Sequence, residues 1–180
     1  MSARMKVGGA LAAVGFVASI LLANWLTTKF GFVSVGFGFT ATAGTFAAGF
    51  ALALRDATQD TLGRWPVVAV IVTGAALSFA VADPFIAVAS ATAFLVSEMT
   101  DFAIYTPLRK RTWAGAVIAS NTVGAIIDTA IFIGIAFGLS AISGAMLGQL
   151  VGKSWATIAY LIVGTVARAL LRKPKHTQGA

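Results

Sequence analysis

The residues able to do chemistry in this chain are few, and most fall at helical spacing inside apolar runs. Glu98, Asp101 and Tyr105 in "SEMTDFAIY" follow the i, i+3, i+7 pattern that puts side chains on one helical face. Asn121, Gly124 and Asp128 repeat it in "SNTVGAIID", and Gln149, Lys153, Ala156 and Tyr160 form a third stripe. Beside that last stripe runs Gly144, Gly148 and Gly152, a double GxxxG that lets a neighbouring backbone approach closely. Two acids, a lysine and two amides in such company suit hydrogen bonding to a polar ligand, ion pairing or proton handling. They suit neither nucleophilic nor metal chemistry. There is no cysteine, and the single histidine, His176, lies in the polar tail. P-loop, HExxH and GxSxG patterns are missing, and no metal site, cofactor or catalytic set is expected.

The elements that must position these stripes follow from composition. Of 180 residues, 58% are hydrophobic and 11% charged, well under the roughly 25% charged residues of soluble domains. Six apolar stretches approach the length that crosses a roughly 30 Å hydrocarbon core, at about 7–28, 32–54, 66–83, 85–107, 113–138 and 142–170. The expected fold is all-α, a polytopic six-helix membrane protein. Residues 1–171 form one transmembrane domain and 172–180 a polar cytoplasmic tail. Asp83-Pro84 marks a tight turn between the third and fourth spans, because proline cannot continue a helix.

The net charge of +7 is arranged by face. Arg4, Lys6, Arg55, Arg64, Arg109, Lys110, Arg111, Arg172, Lys173 and Lys175 alternate with turns that hold no basic residue but Lys29. By the positive-inside rule both termini lie in the cytoplasm. The basic residues are then topology signals, and nucleic acid is excluded as a partner.

Depth along a helix follows from the 1.5 Å rise per residue. Glu98 lies about 16 Å in from Arg109 and Asn121 about 15 Å in from Arg111, so both stand near the midplane. Asp128 and Lys153 reach a common level nearer the other face, and an ion pair between them is expected, since each charge alone would be expensive. A polar substrate cavity is the favoured reading of this set, and polar glue between helices the bland one. In the first half, Asn24 and Trp25 near the end of span 1 are further candidates, Trp25 as interfacial anchor or cavity wall. The threonines Thr40, Thr42 and Thr45 in span 2 read as self-satisfied within a close-packed helix. The loop "RDATQDTLGRW" sets Arg55, Asp56, Asp60 and Arg64 as an ion network or a gate at the cytoplasmic edge.

Residues 97–137 resemble the queuosine-precursor transporter family, also called the vitamin-uptake-transporter family. The pattern is E-x-x-D-x-x-(I/V)-(Y/F), a short basic loop, then S-N-x-x-(G/S)-x-x-x-D-(S/T)-x-(I/V)-F. Glu98, Asp101, Tyr105, Ser120, Asn121, Gly124, Asp128, Thr129 and Phe132 supply it in order. Asn24, Lys29, Asp56, Asp60 and Lys153 also match, although Asp60 replaces a glutamate common in the loop after span 2. The resemblance implies an inner-membrane importer of a 7-deazaguanine base, such as 7-cyano- or 7-aminomethyl-7-deazaguanine. It implies substrate contacts from Glu98 and Asn121, stacking from Trp25, Phe102, Tyr105 or Phe132, and support from Asp101, Asp128 and Lys153; Gln149 is a further candidate from its place on the third stripe. Expected partners are the small-molecule substrate and the lipid bilayer, with self-association left open. The rivals are a substrate-binding subunit of an energy-coupling-factor importer and a non-transporting structural membrane protein.

Overall fold

A computed structural model describes residues 3–171, with side chains described for all of these except 3–5, 102 and 167–171. The tail with His176, Arg172, Lys173 and Lys175, and the side chains of Arg4 and Phe102, therefore lie outside the described residues. Six helices and one hairpin follow one another: α1 (Ala3–Phe30), β1 (Phe32–Gly36), β2 (Phe39–Thr42), α2 (Thr45–Leu62), α3 (Arg64–Ser78), α4 (Pro84–Leu108), α5 (Trp113–Phe137) and α6 (Ser140–Leu171). Four of them, α1, α4, α5 and α6, contain 25 to 27 residues apolar enough to cross a membrane; α3 is a shorter apolar helix.

The ends of α4 and α5 are set locally. Asp83 caps α4, its carboxylate accepting from the Phe85 N–H at 2.8 Å, and Pro84 takes the first helical position where no N–H is needed. Thr112 caps α5 by accepting from the Gly115 N–H. The turn expected at Asp83-Pro84 is present.

Span 2 is where the sequence reading fails. The stretch 32–54 is no single helix. Residues 32–42 form an antiparallel hairpin in which Phe32 pairs with Thr42 and Val33 with Ala41. Its turn places both Phe37 (φ +54°) and Gly38 (φ +78°) in the left-handed region, the geometry that matches strand twist in two-residue hairpins. "FVSVGFGFT" alternates with period two and is rich in aromatic and β-branched residues, which is the strand signal. Hydropathy alone hides it. As a result α2 begins late and runs through "RDATQDTL", so the supposed cytoplasmic loop is the last two turns of a helix.

The interior inverts the soluble pattern. Phe16 and Ile20 of α1, Leu52 of α2, Val67 and Ile71 of α3 and Phe94 of α4 form an apolar core. Elsewhere the buried residues include Arg55, Asp56, Glu98, Asp101, Asn121, Asp128, Gln149 and Lys153, while Leu11, Val14, Phe85 and Ile162 are exposed. Apolar side chains outward and charges inward suit a molecule whose solvent is hydrocarbon.

The GxxxG stripe of α6 acts, but on an unexpected partner. A Cβ at Gly148 would land on the backbone carbonyl of Thr40 in β2, and one at Gly152 would strike the Thr45 side chain. Gly49 of α2 similarly admits Ala156 and Lys153 of α6. These contacts seat the hairpin and α2 against α6.

Candidate functional site: two polar tiers inside the bundle

The three predicted stripes all turn inward. Glu98, Asp101 and Tyr105 are buried on α4, Asn121, Gly124 and Asp128 on α5, and Gln149, Lys153 and Ala156 on α6. They do not form one cluster. They divide into two tiers.

The tier nearer the hairpin is hydrogen-bonded throughout. Lys153 Nζ lies 2.5 Å from Asp128 Oδ2 and donates to Thr129 Oγ1 at 2.8 Å, so the ion pair expected from depth is present. Gln149 donates from Nε2 to Thr42 Oγ1 and accepts from Thr45 Oγ1, each at 2.8 Å. Thr42 and Thr45 are thus bonded across to α6 rather than self-satisfied, a correction that follows from the hairpin. Asn24 Nδ2 donates to Ser78 Oγ at 2.8 Å, tying α1 to α3. Asn24, Thr27, Thr42, Ser90, Asp128, Gln149 and Lys153, with Ala23, Ala48, Phe94 and Phe132, line a small cavity of about 20 Å³. That is room for about one water.

Trp25 is not brought to this cavity. Its ring is 40% exposed, stands edge-on to Phe30, and carries the Lys29 ammonium 4.7 Å from its centroid. An aromatic ring beside a lysine at a helix end is an interfacial anchor.

The second tier is centred on Arg55, which the sequence placed in an ion network or gate at the cytoplasmic edge. It is 1% exposed. Its guanidinium Nη1 pairs with Asp101 Oδ2, while its Nε stands 3.3 Å from Asp56 Oδ1 and 3.5 Å from Glu98 Oε2. Three carboxylates therefore surround one guanidinium. Counting back along α2, Arg55 lies about 10 Å inside the Leu62 end, the depth of Asp101 below Leu108. Charge balance is the signal that finds it: Glu98 and Asp101 need a cation at their own depth.

Hydrogen bonding in this tier is incomplete. Both amide atoms of Asn121, the Ser120 hydroxyl and Glu98 Oε1 are buried without a hydrogen-bond partner among the described residues. A buried polar group left unbonded is destabilising by about 1–3 kcal/mol, so such groups point to a ligand or to water. Asn121 stands on the wall of a cavity of about 470 Å³ between α5 and α6, with Ala125, Leu150, Lys153 and Thr157 beside it and Ile118 and Ile158 at its rim. Lys153 lines both this cavity and the small one, so the Asp128–Lys153 pair stands between them.

The remaining predicted residues belong to the basic end. The Tyr105 hydroxyl donates to Asp60 Oδ2 at 2.9 Å, and Arg109 Nη1 bonds Asp60 Oδ1 at 2.6 Å. Tyr105 is therefore a strut at the rim, away from either cavity. Arg64 is exposed over the Trp65 ring and joins neither set. The expected four-residue network is divided: Arg55 and Asp56 are interior, Asp60 pairs with Arg109, and Arg64 faces outward.

Residues 82–167 match the model of the family described as "Putative vitamin uptake transporter". Over this stretch the chain is similar to the vitamin-uptake-transporter family. No curated protein and no solved structure matches the chain. The matched segment takes in α4, α5 and most of α6, and with them Glu98, Asp101, Asn121, Asp128 and Lys153. Together with four helices long and apolar enough to cross a membrane, this match supports a multi-pass membrane protein similar to a transporter family.

Proposed function

We propose that the protein imports a 7-deazaguanine base, a queuosine precursor such as 7-cyano- or 7-aminomethyl-7-deazaguanine, across the cytoplasmic membrane. In this reading residues 1–171 are one six-helix domain with both termini in the cytoplasm and 172–180 a polar tail. The observation that carries it is the Asn121 side chain, buried on the wall of a 470 Å³ cavity with both amide atoms unpaired. An amide offers one acceptor and a donor pair side by side, the complement of a base edge that presents a donor beside an acceptor. Glu98, with Oε1 unpaired, supplies a carboxylate for the amino and ring N–H donors of a guanine-like edge. Asp101 holds Arg55 in place, and Asp128 with Lys153 orders the wall between the two cavities.

The test is binding to purified protein across guanine, 7-cyano-7-deazaguanine, 7-aminomethyl-7-deazaguanine and queuine, read as thermal stabilisation, followed by uptake of a labelled base. Saturable stabilisation by one or more 7-deazaguanines is expected, with uptake lost in Glu98→Ala. Stabilisation by none of them overturns the substrate. Uptake unchanged in Glu98→Ala removes that residue from the site.

A further inference from the structure

The second tier holds more negative charge than its one cation can balance. Asp101 is committed to Arg55 Nη1. The Arg55 Nε carries a single hydrogen, yet Asp56 and Glu98 both approach it, at 3.3 and 3.5 Å. All three acids are at least 95% buried, and like charges this close in a low-dielectric interior do not all ionise. Among the described residues neither oxygen of Asp56 has a hydrogen-bond partner, nor has the buried Oε1 of Gln59, about one turn further along α2.

The other charges around this tier are committed elsewhere. Lys153 of α6 is held by Asp128 of α5. Lys6 and Lys29 of α1 and Arg64 of α3 are exposed near the helix ends. Among the described residues no three ligating side chains converge in a way that could hold a metal ion. A proton shared between neighbouring acids is the positive charge that such a buried set takes up most readily.

We propose that Asp56 and Glu98 share one transported proton, making the protein a proton-coupled importer. This rests on the transport reading above. The N–H donors of a bound base favour ionised Glu98, which shifts the proton to Asp56. One helical turn on, Asp60 is partly exposed at an open cleft with Arg109 and Lys110, which gives the proton its way out at the basic face. The proton enters with the base and leaves from Asp56, whose vacated carboxylate faces the Arg55 Nε at 3.3 Å until the next proton arrives.

Two measurements separate this from the substrate assignment. The first needs no substrate. The chain has six acidic side chains, so the infrared carbonyl band of a protonated carboxylic acid can be assigned in the full-length protein. At neutral pH the band is expected in the unaltered protein and in Asp60→Asn, and absent in the Asp56→Asn, Glu98→Gln double variant. Its absence from the unaltered protein overturns the shared proton, whatever the substrate. The second uses proteoliposomes with an internal pH dye and 7-cyano-7-deazaguanine. An outside-acid gradient of about one pH unit should drive up to about tenfold accumulation, with the lumen acidifying as base enters. Asp56→Asn should bind the base and lose both effects. Accumulation driven by a sodium gradient and indifferent to pH, or an Asp56→Asn variant that still accumulates with pH, overturns the coupling. A carboxylic-acid band with no binding of any 7-deazaguanine keeps the proton and removes the substrate.

Discussion

Asp128 and Lys153 form a buried pair whose members are each tolerable only because of the other. Removing one partner of such a pair is destabilising by about 3–5 kcal/mol, whereas replacing both is far milder. Asp128→Asn and Lys153→Met should therefore each lower the thermal unfolding temperature in detergent sharply, and the double variant should recover most of the loss. Asn121 presents the opposite case. Because its amide has no hydrogen-bond partner among the described residues, Asn121→Leu should leave unfolding temperature unchanged or raised. Binding of 7-cyano-7-deazaguanine should fall at least about tenfold, the equivalent of about 1–3 kcal/mol for a paired amide contact. A stability loss with binding intact would make Asn121 a packing residue. Both residues stood out in the sequence by type and depth. Their difference in partnership did not, because hydrogen bonding depends on which helix faces which.

At the scale of elements, the hairpin decides the most. It converts an apparent second span into a strand pair and a late-starting helix, and it brings Thr42 and Thr45 to Gln149. Its seat is Gly148, where any side chain meets the Thr40 carbonyl, while a Cβ at Gly144 meets nothing within 4 Å. Gly148→Ala should thus destabilise by about 1–3 kcal/mol or more, and Gly144→Ala should be close to neutral, as read by thermal unfolding. Equal effects would remove the hairpin contact from the account. The GxxxG spacing was legible, but its partner was not. Small residues announce a close approach without naming what approaches. The same limit applies to Arg55: as part of "RDATQD" it reads as loop, and only the late start of α2 carries it inside.

For the whole molecule, the distribution of basic residues predicts orientation. Arg109, Lys110 and Arg111 share one end with the Asp60–Arg109 bridge, and the hairpin and the Asp83 and Leu139 turns share the other. The chain has no cysteine, so a single introduced one is a unique label. Lys110→Cys should react with an impermeant maleimide only from the cytoplasmic side of intact cells, and Leu139→Cys only from outside. The reverse pattern would invert the direction argued for the proton and the base.

Composition and spacing by themselves determined that this chain is helical, lives in a membrane, and turns Glu98, Asp101, Asn121, Asp128 and Lys153 inward. Those properties follow from the cost of charge in hydrocarbon and from the 3.6-residue repeat, both of which are local to a helix. The tertiary structure alone decided that these residues form two tiers, that Arg55 balances one of them, and that Tyr105 and Trp25 stand apart. Such matters depend on the rotation and register of one element against another, set by close contacts such as Gly148 on Thr40, which no single segment encodes.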